Sequence, residues 1–329
     1  MESIFRVALT QGTSMTPTTS TIVNRRRLIT SGLTGVGLAM LPTSIATANA
    51  NRNRGIIDAH VHVWTPDTQR FPLAEEFTKQ DMQPASYTPE ELMADAAPAG
   101  VTRVVLIQMS YYRYDNAYML HVMEQHAGVY AGVAIVDEDD QPARHMREFA
   151  KQGVRGFRIA PGKRNADSWL QGVGMREMWR CGADERLAMC HLIDPKHLPS
   201  VAAMCRSYRA TPVVIDHFAR IGADGKIRDQ DLDHLCRLAT FPNVSVKISA
   251  YYALGKKRIP YTDLGPMIQR LISEFGSERL MWASDCPFQV QGNHTYQASL
   301  DLIQFQLDFL TPEDRAELLH NTAERVFFS

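Results

Sequence analysis

The sequence predicts an α/β fold, a single-domain (β/α)8 TIM barrel, on three observations. Short apolar runs alternate with helical stretches along the chain, and eight such pairs can be counted. The runs are almost uninterrupted in Val, Ile and Leu and are bounded by Gly, Pro and Asp, as in parallel strands buried on both faces. Together the pairs occupy about 270 residues, the usual size of an eight-unit barrel. A doubly wound open sheet is the alternative. No G-x-G-x-x-G opens a helix after a strand, which disfavours a dinucleotide-binding version, and no fixed-period repeat is present.

The elements follow in order. The first strand is read over 56–64 and the first helix over 89–99, with Thr88 as cap and Glu91 placed to complete a capping box. The next strand–helix pairs are 103–108 with 116–126, 129–136 with 142–152, and 154–159 with 175–184. Strands over 187–193, 212–215, 244–248 and 280–283 precede helices over 195–208, 229–239, 262–275 and 297–309, and a closing helical segment spans 312–327.

The chain has 329 residues, of which 45% are hydrophobic and 22% charged. These ordinary globular values exclude long disorder, collagen and coiled coil. A net charge of −1 leaves no basic footprint for nucleic acid. That sum has two unlike parts. Residues 1–50 carry +3, and the remainder carries −4 together with all 11 histidines and five cysteines.

The first part reads as an address. Arg25, Arg26 and Arg27 precede an uncharged stretch over 33–45, and Ala48-Asn49-Ala50 closes it in an A-x-A pattern. These are the three parts of an export signal, and consecutive arginines before a weakly apolar, Gly-containing run resemble the twin-arginine type. The expectation is recognition by the twin-arginine export machinery, cleavage near Ala50, and a mature domain over 51–329 that is periplasmic or extracellular. No second long apolar run predicts a membrane span. Cys181, Cys190, Cys205, Cys236 and Cys286 have no CxxC spacing and are read as buried thiols.

Barrel enzymes place their chemistry at the C-terminal strand ends. There the first strand offers Asp58-Ala-His60-Val-His62, the second Gln108, and the fourth Arg158. The fifth offers His191 and Asp194, the sixth Asp216-His217, the seventh Lys247 and Ser249, and the eighth Ser284-Asp285. Residues two apart on a strand share a face, so His60 and His62 can converge on one ion, neutral imidazole being the commonest metal ligand. The bland reading of a lone H-x-H is a packed or solvated pair; Asp285 and His217 at matching strand ends favour a site. Arg158 is a candidate fork for a substrate carboxylate, or else a salt bridge to a helix. Gln108, the Tyr111-Tyr112 pair, and Tyr251-Tyr252 are candidate pocket walls, with packing beneath the loops as the alternative. Lys247 is either a substrate anion contact or an internal ion pair.

Asp58-Ala-His60-Val-His62, Asp216-His217-Phe218 and Trp282-Ala-Ser284-Asp285-Cys-Pro287 together resemble the amidohydrolase superfamily, in its amidohydrolase-2 branch of lactone hydrolases and related decarboxylases. Val154-Arg155-Gly156-Phe157-Arg158, Val246-Lys247-Ile248-Ser249 and the terminal Asn321-Thr-Ala323-Glu-Arg325-Val-Phe are similar too, so the resemblance runs from Ile56 to Phe328. It implies a mononuclear site, zinc foremost, or none. His60, His62 and Asp285 are the implied ligands. A strand-five His that completes the site in relatives is replaced by Asp194, with His191 three residues earlier. An odd separation puts these two on opposite faces. Asp194 is then the candidate carboxylate ligand and His191 a helix-facing core residue.

The resulting expectation is a hydrolase that opens a lactone or cyclic ester. Asp285 is the general base, or a divalent ion assists the water, and His217 contacts the carbonyl or carries a proton. The alternative is a metal-dependent non-oxidative decarboxylase of an aromatic or unsaturated acid. A catalytically inactive binding barrel is a third reading, against which the complete His/His/His/Asp set argues. A small-molecule substrate is expected in either enzyme, and an oligomer is compatible with the sequence.

Overall fold

The computed structural model describes residues 55–161 and 172–329. The arginine cluster, the A-x-A pattern and the expected cleavage site lie outside the described residues. Eight strands form one sheet in the order of the chain: β1 Ile56–Val61, β2 Val101–Ile107, β3 Tyr130–Ala134, β4 Val154–Ile159, β5 Ala188–His191, β6 Val213–Ile215, β7 Val244–Ile248 and β8 Leu280–Trp282. Every neighbouring pair is parallel. Closure comes from the segment after β8, where Val61 bridges Cys286 and the amides of Asp285 and His62 donate to His60 and Cys286 carbonyls. The protein is therefore a (β/α)8 barrel.

Small residues make the barrel interior possible. Ala59, Ala131, Ala188 and Ala283 share it with Ile57, Val105, Ile107, Val133, Val214 and Met281, and the C-terminal helix Thr322–Phe327 adds Ala323 and Phe327. Gly156 belongs to the same economy. A Cβ there would lie 3.0 Å from Cys190 Sγ and 3.1 Å from the Ala188 carbonyl oxygen. The outer, larger core joins strands to helices.

The capping box expected at Thr88 is present, with Glu91 and Thr88 exchanging side-chain and backbone hydrogen bonds. Other boundaries differ. The first strand ends at Val61, where pairing with β2 loses register. The stretch read as one helix over 297–309 is an α-helix Tyr296–Asp301 running into a π-helical turn Leu302–Gln306. All five cysteines are buried free thiols. Among the described residues no helix is long and apolar enough to cross a membrane.

Candidate active site

The site starts from an irregularity in β1. Regular alternation would send His60 outward if Ala59 faces in. The register of β1 against β2 shifts between Asp58 and Val61. Ala59 thus lines the interior, and His60 also reaches across the barrel toward Asp216, Lys247 and Arg158. Asp58 turns away from the axis and ties β1 to the eighth loop. Its carboxylate accepts from the Ser284 amide at 2.9 Å and the Tyr296 hydroxyl at 2.6 Å.

His60 and His62 then stand with their Nε2 atoms 3.3 Å apart. Asp285 Oδ1 lies 3.5 Å from His60 Nε2, 3.6 Å from His62 Nε2 and 3.8 Å from His217 Nε2. His62 Nδ1 is 3.0 Å from the Ile107 carbonyl oxygen, to which it donates, so its Nε2 lone pair is free for the centre. His60 Nδ1 stands between the Asp216 carboxylate at 3.4 Å and the Lys247 ammonium at 3.2 Å, and the Arg158 guanidinium, which can only donate, meets the lone pair at His60 Nε2. Ligands about 2.0–2.2 Å from a tetrahedral zinc ion stand about 3.3–3.6 Å from one another. The His60, His62 and Asp285 donor atoms fit that spacing, and His60, His217 and Asp285 also form a compact ligand group.

Burial sets the protonation of these groups. It lowers His60 and His62 well below the ordinary histidine range and brings His217 to about 3, so all three are neutral. It also pushes Asp285 up to about 8, against the opposing pull of the Tyr252 hydrogen bond and Arg158. Asp216 behaves oppositely. Burial alone would raise it, but Lys247, His60 and Arg158 hold it well below the carboxylate range.

Backbone strain presents these side chains. His217, Phe218, Ala219 and Arg220 all have positive φ, between 51° and 58°, and so do Ala250 at 58° and Asp285 at 67°. Each such non-glycine residue costs about 1–2 kcal/mol, and such strain clusters at functional sites. The turn of four is held at its start by His217 Nδ1 against Ser249 Oγ, 2.8 Å away, and in its middle by the buried Phe218 and Ala219. At its end Arg220 donates twice to Asp194 Oδ1, at 2.9 and 2.5 Å.

That last contact corrects the reading of Asp194 as a metal ligand. Its carboxylate is engaged by Arg220 and stands outside the ligand group. The helix-facing position expected for His191 is observed: it is fully buried with its ring 5.6 Å from Trp179. Strand β5 therefore supplies no donor to the centre.

Three candidate substrate contacts take the other alternative, packing or pairing within the protein. Gln108 is buried and spends its amide donors on the Arg113 and Asp115 carbonyls, so it shapes the second loop. Lys247 is fully buried in the interior, 3.1 Å from Asp216 and 3.2 Å from His60 Nδ1, with Phe327 on another side. Tyr251 points into the core, donates to the Ile248 carbonyl and packs on Phe218 and Tyr261. Its neighbour Tyr252 reaches the site instead, donating to Asp285 Oδ2 at 2.7 Å. Left-handed Ala250 starts this turn and sets which tyrosine faces in; nothing in an alanine announces that conformation. Arg158 does reach the centre, with Nη2 2.9 Å from His60 Nε2.

Tyr252→Phe is expected to slow turnover near neutral pH by about tenfold, the effect of one hydrogen bond to a charged group. Tyr251→Phe is expected to leave kcat/KM within about twofold, since its hydroxyl meets only backbone. Equal losses from the two variants in a steady-state assay would contradict the assignment.

A family model described as Amidohydrolase matches residues 57–328. The chain is similar to an L-fucono-1,5-lactonase of Burkholderia ambifaria, 28% identical over 281 residues that cover 81% of this chain and 93% of the relative. It is similar to a 4-sulfomuconolactone hydrolase of Rhizobium radiobacter, 27% identical over 71% of this chain and 76% of that one. A zinc-bound amidohydrolase structure from Burkholderia multivorans superposes with a TM-score of 0.72 at 19% identity, covering 84% of this chain and 99% of that one, and attests the fold. With the match spanning the whole barrel and every strand end that builds the centre, the chain belongs to the amidohydrolase family and is an enzyme of the hydrolase type.

Proposed function

We propose that this protein opens a lactone or related cyclic ester by attack of water, with Asp285 as general base. One observation carries the reading: Asp285 Oδ1 faces three histidine Nε2 atoms at 3.5–3.8 Å while Tyr252 holds its other oxygen. Oδ1 is thereby aimed at the place where water and an ester carbonyl would meet, and it takes the water's proton. His217 is neutral. With Ser249 donating to Nδ1, its Nε2–H points toward the centre and can donate to the developing oxyanion. The proton held on Asp285 then passes to the ring oxygen as the ester bond breaks.

A divalent ion, zinc foremost, fits among His60, His62 and Asp285, with His217 adjacent. When bound it would supply Lewis-acid polarisation and a lower water pKa. Two relatives are named for lactone substrates, which supports the substrate class. Strand β5 brings no histidine to the centre, which in this branch sides with lactone opening over decarboxylation. We infer from the arginine cluster and the A-x-A pattern that the enzyme works after export.

The test is acid release from a panel of sugar lactones and muconolactones, run beside aromatic acids monitored for carbon dioxide. Carbon dioxide without lactone turnover would sink the proposal. In chelator-treated protein kcat/KM is expected to rise with pH and level off above about 8, because Asp285 is held up to about 8 and must lose its proton to act. A bound cation favours the carboxylate, so zinc should move that rise to lower pH. A profile flat from pH 6 to 9 in the ion-free enzyme, about the range that brackets a base poised near neutrality, would remove Asp285 as the base.

A further inference from the structure

We propose that Arg158 is a built-in rival of the divalent ion: its guanidinium holds the coordinating face of His60, so that the His60–Arg158 contact and ion binding exclude each other. The inference rests on the donor set proposed above and not on the substrate class. Arg158 Nη2 lies 2.9 Å from His60 Nε2, the same nitrogen that forms two edges of the donor triangle with His62 and Asp285. A neutral imidazole has one lone pair for an acceptor role, and the guanidinium of Arg158, which can only donate, places that lone pair on Nε2. It serves one partner at a time.

Arginine is an unusual occupant of such a place. Its charge cannot be removed by deprotonation, so it yields only by moving. The side chain is nine-tenths buried, in surroundings where a fixed positive charge acts strongly on an incoming cation. Its pairing is also incomplete. Among the described residues no partner accepts from the buried Nε, and the nearest carboxylate oxygen, Asp216 Oδ2, stands 3.6 Å from Nη2, beyond a direct hydrogen bond. Withdrawal from His60 toward Asp216 would exchange one partner for a better-charged one. The centre thus keeps a cation beside His60 in both states, the guanidinium when no ion is bound and the ion when Arg158 has withdrawn.

The experiment measures zinc affinity, without substrate, by chelator competition on the stripped full-length protein. Arg158→Gln is expected to bind zinc at least about tenfold more tightly than wild type, because a repulsive charge and a competing donor are both gone. It should also gain more thermal stability on zinc addition. His62→Asn is expected to lose about tenfold or more in affinity, which tests the donor set separately. If His62→Asn loses zinc while Arg158→Gln binds no more tightly than wild type, the rivalry is wrong and the donor set stands. If His62→Asn binds like wild type, the donor set itself is wrong. Should Arg158→Gln fail to fold, a zinc-soaked crystal of the wild type decides. Zinc on His60 Nε2 with the guanidinium moved off supports the rivalry, and zinc there with the Arg158 contact intact overturns it.

Discussion

Asp285→Asn should abolish most hydrolysis, lowering kcat by about a hundred- to ten-thousand-fold, the usual contribution of a positioned general base. The amide keeps the shape and can still meet Tyr252, but it cannot take a proton from water. Stability should move the other way. In the folded, ion-free protein burial raises the Asp285 carboxyl from 3.8 to about 8. A raised acid binds its proton more tightly folded than unfolded, so it lends stability at low pH and loses it as pH climbs through about 8. The Asn variant has no proton to lose. Its melting temperature above pH 8 should therefore match or exceed that of wild type, both stripped of metal. An inactive variant that is also markedly less stable there would mean that Asp285 is structural.

Lys247→Met should cost about 3–5 kcal/mol, the penalty for removing one partner of a buried ion pair. Lys247 and Asp216 are both fully buried and 3.1 Å apart, and Asp216 also stands 3.4 Å from His60 Nδ1. Without the ammonium, Asp216 keeps only a neutral histidine and the distant guanidinium of Arg158. A Lys247→Met/Asp216→Asn double variant should recover much of the loss, because no unpaired carboxylate is then buried. Urea denaturation measures both. A single variant as stable as wild type, or a double variant whose losses simply add, would show that the pair is not coupled in this way.

The legible part of the site was the part governed by period and position. Asp58, His60, His62, Asp216, His217 and Asp285 sit at ends of apolar runs, and the end of an apolar run marks the mouth of a barrel. The separation of His191 from Asp194 told that they face opposite ways, but not that Asp194 would be taken by Arg220. Arg220 lies at the end of a left-handed turn, and Phe218, Ala219 and Arg220 are not of the types that favour it. The same blindness left Tyr251 and Tyr252 undivided. Lys247 lies on the seventh strand as expected, and its two roles could not be separated without knowing that the buried Asp216 stands 3.1 Å from it.

By itself the sequence determined the eight strand–helix units and the histidine and carboxylate set at the strand ends, because periodicity and the place where an apolar run stops are properties of a local stretch. Only the tertiary structure decided the turn of His60 onto the barrel axis, the choice of Tyr252, the bracing of His217 and the seat of Arg158 against His60. Those outcomes depend on strand register and on left-handed backbone held in place by packing from other strands, and neither is written in the residues that display it.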